Sequence, residues 1–160
     1  MGKKIEQQRL AFVTIGPAGS QYAARMAIEG LLSCEEDPRA VLERGSAKYL
    51  KHIEAMRRLL ERIQDHRAQH TPTPARLVWQ VGDAVFSLSH DLLHLRLQLD
   101  DTYAHLVRDL RVRRKWLEKA VILRRYLPSQ SHIPPRLPWG ALEKGTRRKA
   151  MCLLSGQPPK

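Results

Sequence analysis

The sequence predicts an all-α fold: a helical bundle with two long antiparallel helices, a basic C-terminal helix half and a proline-rich basic tail. Three observations carry this. Apolar residues recur at alternating spacings of three and four over two long segments. Turn signals separate those segments. Past residue 127, four prolines at 128, 134, 135 and 138 forbid another long helix. A length of 160 residues and an apolar fraction of 42% fit one domain with a real core and exclude a wholly disordered chain.

The opening stretch, residues 1–19, reads as an extended segment. Arg9 to Ile15 has β-branched and aromatic character and ends in the turn Gly16-Pro17-Ala18-Gly19. A lone strand is not stable by itself. Ser20 then caps a helix expected over Gln21 to Leu32. Phe12 to Ser20 resembles the start of a P-loop, but Gln21-Tyr22 stands where that loop needs Lys-Ser/Thr. The same segment is similar to the opening of prephenate dehydratases over about ten residues. That resemblance implies an α/β fold, and the rest of the chain lacks that family's repeated strands.

The helical domain is expected over residues 20–127. Asp37-Pro38 opens a helix expected to falter at Arg44-Gly45-Ser46. Tyr49, Ile53, Met56, Leu60 and Ile63 then share one helical face. Thr73 is a candidate cap, with Pro74 as first helical residue. Val78, Val81, Val85, Leu88, Leu92, Leu95 and Leu99 form the longest stripe, and Trp79, Phe86, Leu93 and Leu97 form a second row around the same helix. So wide an apolar arc needs more than one neighbour. It points to a central helix, and to protein partners or self-association. Asp100-Asp101-Thr102 interrupts the register as a kink or a stop. The pattern resumes with Leu106, Leu110, Leu117 and Val121. In the tail, residues 128–160, a short helix is expected around Ala141 to Leu154.

The net charge is +12, and it is unevenly placed. Residues 108–160 hold 14 Lys plus Arg against three Asp plus Glu. The first 107 residues sum to +1. Arg108, Arg111, Lys115 and Lys119 are spaced three, four and four apart. On one continuous helix they make a cationic stripe that follows a phosphate backbone. Trp116 lies beside it, placed to stack on an exposed base. Arg113 and Arg124 fall within the apolar arc, which predicts an open end of the bundle. In the tail, Pro134 to Trp139 is either an arm for nucleic acid or a partner, or a cover with Ile133, Leu137 and Trp139 on the bundle. Arg147, Arg148 and Lys149 complete the candidate nucleic-acid contacts.

Other constellations are weaker. His90 and His94 sit at i and i+4 beside Asp91, which gives an alternative reading as a metal-dependent helical-bundle hydrolase. No third ligand stands at a recognisable spacing. His66 and His70, near a helix end, are placed to meet terminal carbonyls. Ser89, His90 and Asp91 are consecutive, so on a helix they point about 100° apart and form no triad. Cys34 and Cys152 are read as free thiols of a reducing compartment. Met1-Gly2 lacks the Ser or Thr that myristoylation wants, since Glu6 stands there. Acidic and amide residues before a short apolar run argue against a secretory signal. No stretch approaches ~18 consecutive apolar residues, so no membrane span is expected.

The expectation is a cytoplasmic, non-catalytic nucleic-acid-binding accessory subunit of a protein or ribonucleoprotein assembly. It calls for no cofactor and reads little base sequence. RNA and DNA stand open, as does a third reading, a protein-binding adaptor with a basic tail.

Overall fold

The computed structural model describes residues 13–15, 38–99 and 101–160. The expected helix over Gln21 to Leu32, the Ser20 cap and Cys34 lie outside them. The described chain is mostly helical. Its elements are β1 (Val13–Ile15), α1 (Pro38–Ala68), α2 (Ala75–His94), β2 (Leu97–Leu99), α3 (Thr102–Leu110), α4 (Arg114–Tyr126), a 3-10 turn (Gln130–His132), α5 (Gly140–Glu143) and α6 (Thr146–Leu154). Among the described residues no helix is long and apolar enough to cross a membrane.

α1 begins at Pro38, where proline's fixed φ suits the first helical position. It then runs unbroken through Gly45, against the expected falter. The glycine is there for space. A Cβ at Gly45 would stand 2.3 Å from Cδ1 of Leu97, so any side chain here requires the Leu97 side chain to move aside. Tyr49, Ile53, Met56 and Ile63 are buried as their spacing predicts.

The loop after α1 turns the chain back along it. His70 takes a left-handed φ of 54°, and its N–H bonds the Arg67 carbonyl. His66 Nδ1 lies 2.9 Å from Thr71 Oγ1. Thr73 does not cap α2. The helix starts one residue later, with Pro74 as the N-cap and no side-chain cap bond. Further along, His52 of α1 meets Asp91, near the far end of α2. The two helices therefore pass in opposite directions.

α2 is the central element. It packs against α1 on one side and α4 on the other, as a wide apolar arc requires. It stops earlier than its leucine stripe predicts. The helix ends at His94, Arg96 takes a left-handed φ of 56°, and Leu97–Leu99 is a strand. Leu97 and Leu99 are buried and Gln98 is exposed, which is the strand period of two. β2 pairs in parallel with β1, Val13 to Leu97 and Ile15 to Leu99. The opening strand is thus not alone.

α4 runs back along α2, and a second glycine fixes the distance. A Cβ at Gly82 would lie 2.2 Å from the carbonyl oxygen of Ala120. At the end of α4, Trp79 Nε1 donates to the Leu127 carbonyl at 2.8 Å. That satisfies a backbone group the helix end leaves open.

The proline-rich segment folds back and covers the body of the protein. Ala75 N–H donates to the Leu137 carbonyl and Trp139 N–H to the Thr73 carbonyl. Arg76 Nε donates to the Ile133 carbonyl at 2.7 Å. Ile133, Trp139, Leu142, Ala150 and Leu153 are buried in the same core as α2 and α4. The expected helix over Ala141 to Leu154 is two helices, split at Lys144 and Gly145, where φ is 69°.

Gly82→Ala should lower unfolding stability by about 1–3 kcal/mol, because backbone of α4 stands in the way. Gly140→Ala meets nothing within 4 Å. It should be neutral or stabilising by less than about 1 kcal/mol. Urea midpoints of the two variants check the contrast.

Candidate functional site

The four residues of the expected stripe do not share a helix. α3 ends at Leu110, and Arg111 closes it in the left-handed conformation, φ 55° and ψ 44°. Its N–H bonds the Val107 carbonyl, a helix stop usually made by glycine. α4 restarts at Arg114, so Arg108 lies on one helix and Lys115 and Lys119 on another. Spacing alone could not show this, since no glycine or proline marks the break.

Arg108 is occupied. Its Nε donates to Asp109 Oδ1 at 2.9 Å, and Nη2 lies 3.5 Å from His105 Nδ1. Asp109 also accepts from the hydroxyl of Tyr49 on α1. Tyr49 and His105 are both buried, their rings edge to face with centroids 6.4 Å apart. Arg57 donates to the Asp109 carbonyl at 3.3 Å. This polar cluster clamps α3 to α1. Burial pushes the Asp109 carboxyl up, but hydrogen bonds from Arg108 and Tyr49 outweigh it and hold the group below the usual aspartate value. Sequence reasoning missed the cluster. Its one signal was a tyrosine on the apolar stripe of α1, because a buried hydroxyl needs a partner.

A second ionic group steadies the break. Asp101 caps α3 by accepting from Ala104 N–H at 3.1 Å, and accepts from Arg114 Nη1 at 3.2 Å. Arg114 also bonds Glu118 at 3.1 Å and lies over the ring of Tyr103. The Ala104 hydrogen bond, then that of Arg114, lowers the Asp101 pKa.

Arg124 does not mark an open end. Its guanidinium bonds Asp83 of α2 at 2.7 Å and lies over Trp79 and Phe86, 5.4 and 4.9 Å from the ring centroids. Arg113 is exposed at the start of α4. Trp116 is half-buried and packs against the core, with its Nε1 buried. It is not a free platform for a base.

His90 and His94 are exposed on α2, their rings edge to face at 4.4 Å. Asp91, however, turns to His52, with Nε2 and Oδ2 2.7 Å apart. That hydrogen bond chiefly lowers the Asp91 pKa. Among the described residues no three His, Cys, Asp or Glu side chains are grouped to hold a metal ion.

The tail residues divide. Lys149 is half-buried, and its Nζ donates to the Ala141 carbonyl at 2.7 Å, so it ties α6 to α5 rather than facing a ligand. Arg147 lies over the ring of Tyr126, 5.3 Å from its centroid. Arg147 and Arg148 are exposed and meet Lys119 across an open groove of about 890 Å³ between α4 and α6. Lys144 adds a fourth cation, and Glu143 is the one acid in the lining. Ile122, Met151 and Cys152 supply apolar lining. Lys119 and the Arg147-Arg148 pair are far apart in sequence, and the fold of the tail brings them to one place. Arg111 and Lys115 are exposed but do not line this groove.

No family model, no curated protein and no solved structure matches the chain.

Tyr49→Phe should cost about 1.5–3 kcal/mol, the range for a hydrogen bond to a charged group. Asp109 adds a pH signature. Its folded pKa is lowered, so its stabilisation is present above the unfolded value near 3.8 and is lost as pH falls through the folded value. Asp109→Asn should therefore be less stable than wild type at neutral pH. The gap between the two should narrow below about pH 4, read by urea unfolding across pH.

Proposed function

We propose that this protein is a non-catalytic, cytoplasmic nucleic-acid-binding subunit of a larger protein or ribonucleoprotein assembly. It is a helical bundle whose basic half contacts the phosphate backbone with little reading of base sequence. The observation that supports this reading is the groove between α4 and α6. There Lys119, Lys144, Arg147 and Arg148 face one acid, Glu143.

The chemistry follows from the charge. Exposed cations in a concave surface raise the local potential more than the same number scattered on a convex one. Each phosphate they neutralise releases condensed counterions, so affinity depends steeply on salt. Arginine supplies a planar fork of donors suited to phosphate oxygens, and lysine supplies a compact charge. Arg147 is held over Tyr126, which limits the conformations it loses on binding. Contacts of this kind set position along a strand and carry no base information by themselves.

The charge also lies where it does not threaten the fold. Arg124, Arg114 and Arg108 have carboxylate partners within the protein. The groove cations outnumber their local acid by four to one. Such an excess is more than a solvated helix face needs.

The double variant Lys119→Glu/Arg148→Glu should bind a mixed-sequence oligonucleotide at least tenfold more weakly than wild type at low salt. The slope of log affinity against log salt should fall by about two. Arg62→Glu, on the exposed side of α1 and away from the groove, changes charge alone and should have a much smaller effect. Fluorescence anisotropy over a salt series measures both. Equal binding by the double variant and wild type overturns the groove as the site.

A further inference from the structure

We propose that the groove between α4 and α6 takes a single strand, RNA or DNA, in preference to a duplex. This rests on the nucleic-acid reading above and names its substrate class.

The groove is not purely basic. A surface that only follows duplex phosphates needs cations and donors. This groove carries those along with Ile122, Met151 and Cys152. Met151 is 49% exposed and Leu154, one turn of α6 further on, is 46% exposed. Of the two, Met151 lines the groove and stands in water beside the cluster of cations. A duplex leaves it uncovered, because its base faces are stacked inside and only edges and backbone reach a protein. A single strand offers both surfaces at once. Its phosphates meet Lys119, Lys144 and Arg148, and its unstacked bases cover Met151 and Ile122.

Shape points the same way. The groove is open rather than enclosed, so a flexible strand can lie along it. Among the described residues, neither helix that lines the groove stands free to enter a major groove. α4 is buried along Leu117, Ala120, Val121 and Leu123, and α6 along Ala150 and Leu153. The charge pattern excludes a purely apolar partner helix, which has nothing to offer four cations.

The test uses the full chain and three fluorescent probes at one moderate salt concentration: a mixed-sequence single strand as RNA and as DNA, and the matching DNA duplex. The single strands should bind about tenfold tighter than the duplex or more. Met151→Ser, an exposed position whose change leaves the core intact, should reduce single-strand affinity several-fold and leave duplex affinity unchanged. In a Cys34→Ser background, a saturating single strand should slow alkylation of Cys152, which lines the groove. Poly-glutamate of equal charge should compete poorly. Equal or tighter duplex binding, or equal competition by poly-glutamate, overturns the single-strand inference. The first of these leaves the nucleic-acid reading standing. No binding of any of the nucleic-acid probes overturns both.

Discussion

The close approach of α2 and α4 at Gly82 is the constraint on which the rest depends. Only a residue without a side chain lets the Ala120 carbonyl come so near. At that separation Arg124 reaches Asp83 and lies over Trp79 and Phe86, and Trp79 reaches the Leu127 carbonyl. The opposite side of α4 then stands at a fixed place for α6 to pack against. The basic groove is therefore positioned from behind. A contact between two backbones in the core sets where Lys119 meets Arg147 and Arg148.

Between α2 and α4 the chain makes a strand, a short helix and two left-handed turns, at Arg96 and Arg111. Left-handed conformations cost an ordinary residue roughly 1–2 kcal/mol each. Both are bracketed by stronger ties. Leu97 and Leu99 are anchored in the core after the first. The bond from Tyr49 to Asp109, and that from Asp101 to Arg114, flank the second. Charge is used here as structure. Arg108 and Arg111, which look like ligand contacts in the sequence, here hold and close α3.

Much of the helical pattern was legible. Tyr49, Ile53, Met56 and Ile63, and Val78 to Leu92, are spaced for burial and are buried, with Leu60 half-buried, and the wide arc of α2 does meet two helices. The leucines at 97 and 99 misled because a strand of three residues following a helix keeps the stripe's spacing by coincidence. Gly45 misled in the other sense. A glycine inside a helix reads as a weakness, whereas here it answers to a neighbour 52 positions away. The site was legible as residue types and not as a surface. Lys119, Arg147 and Arg148 were each picked out by charge, but only the fold of the proline-rich segment joins them. Lys149 leaves the set through its bond to the Ala141 carbonyl, and Trp116 through its packing against the core. Spacing along a helix does not reveal a stop made by an arginine, so Arg108 and Lys119 could not be separated beforehand.

The return of the proline-rich segment has a consequence for synthesis. Trp139, Leu142, Ala150 and Leu153 complete a core that α2 begins. About sixty residues must follow α2 before the last of them is made. At a translation rate of roughly 5–20 residues per second, this takes roughly 3–12 seconds. Throughout that interval α2 has an apolar flank without its final cover. A nascent chain of this protein is thus a natural client for whatever shields hydrophobic surface at the ribosome exit.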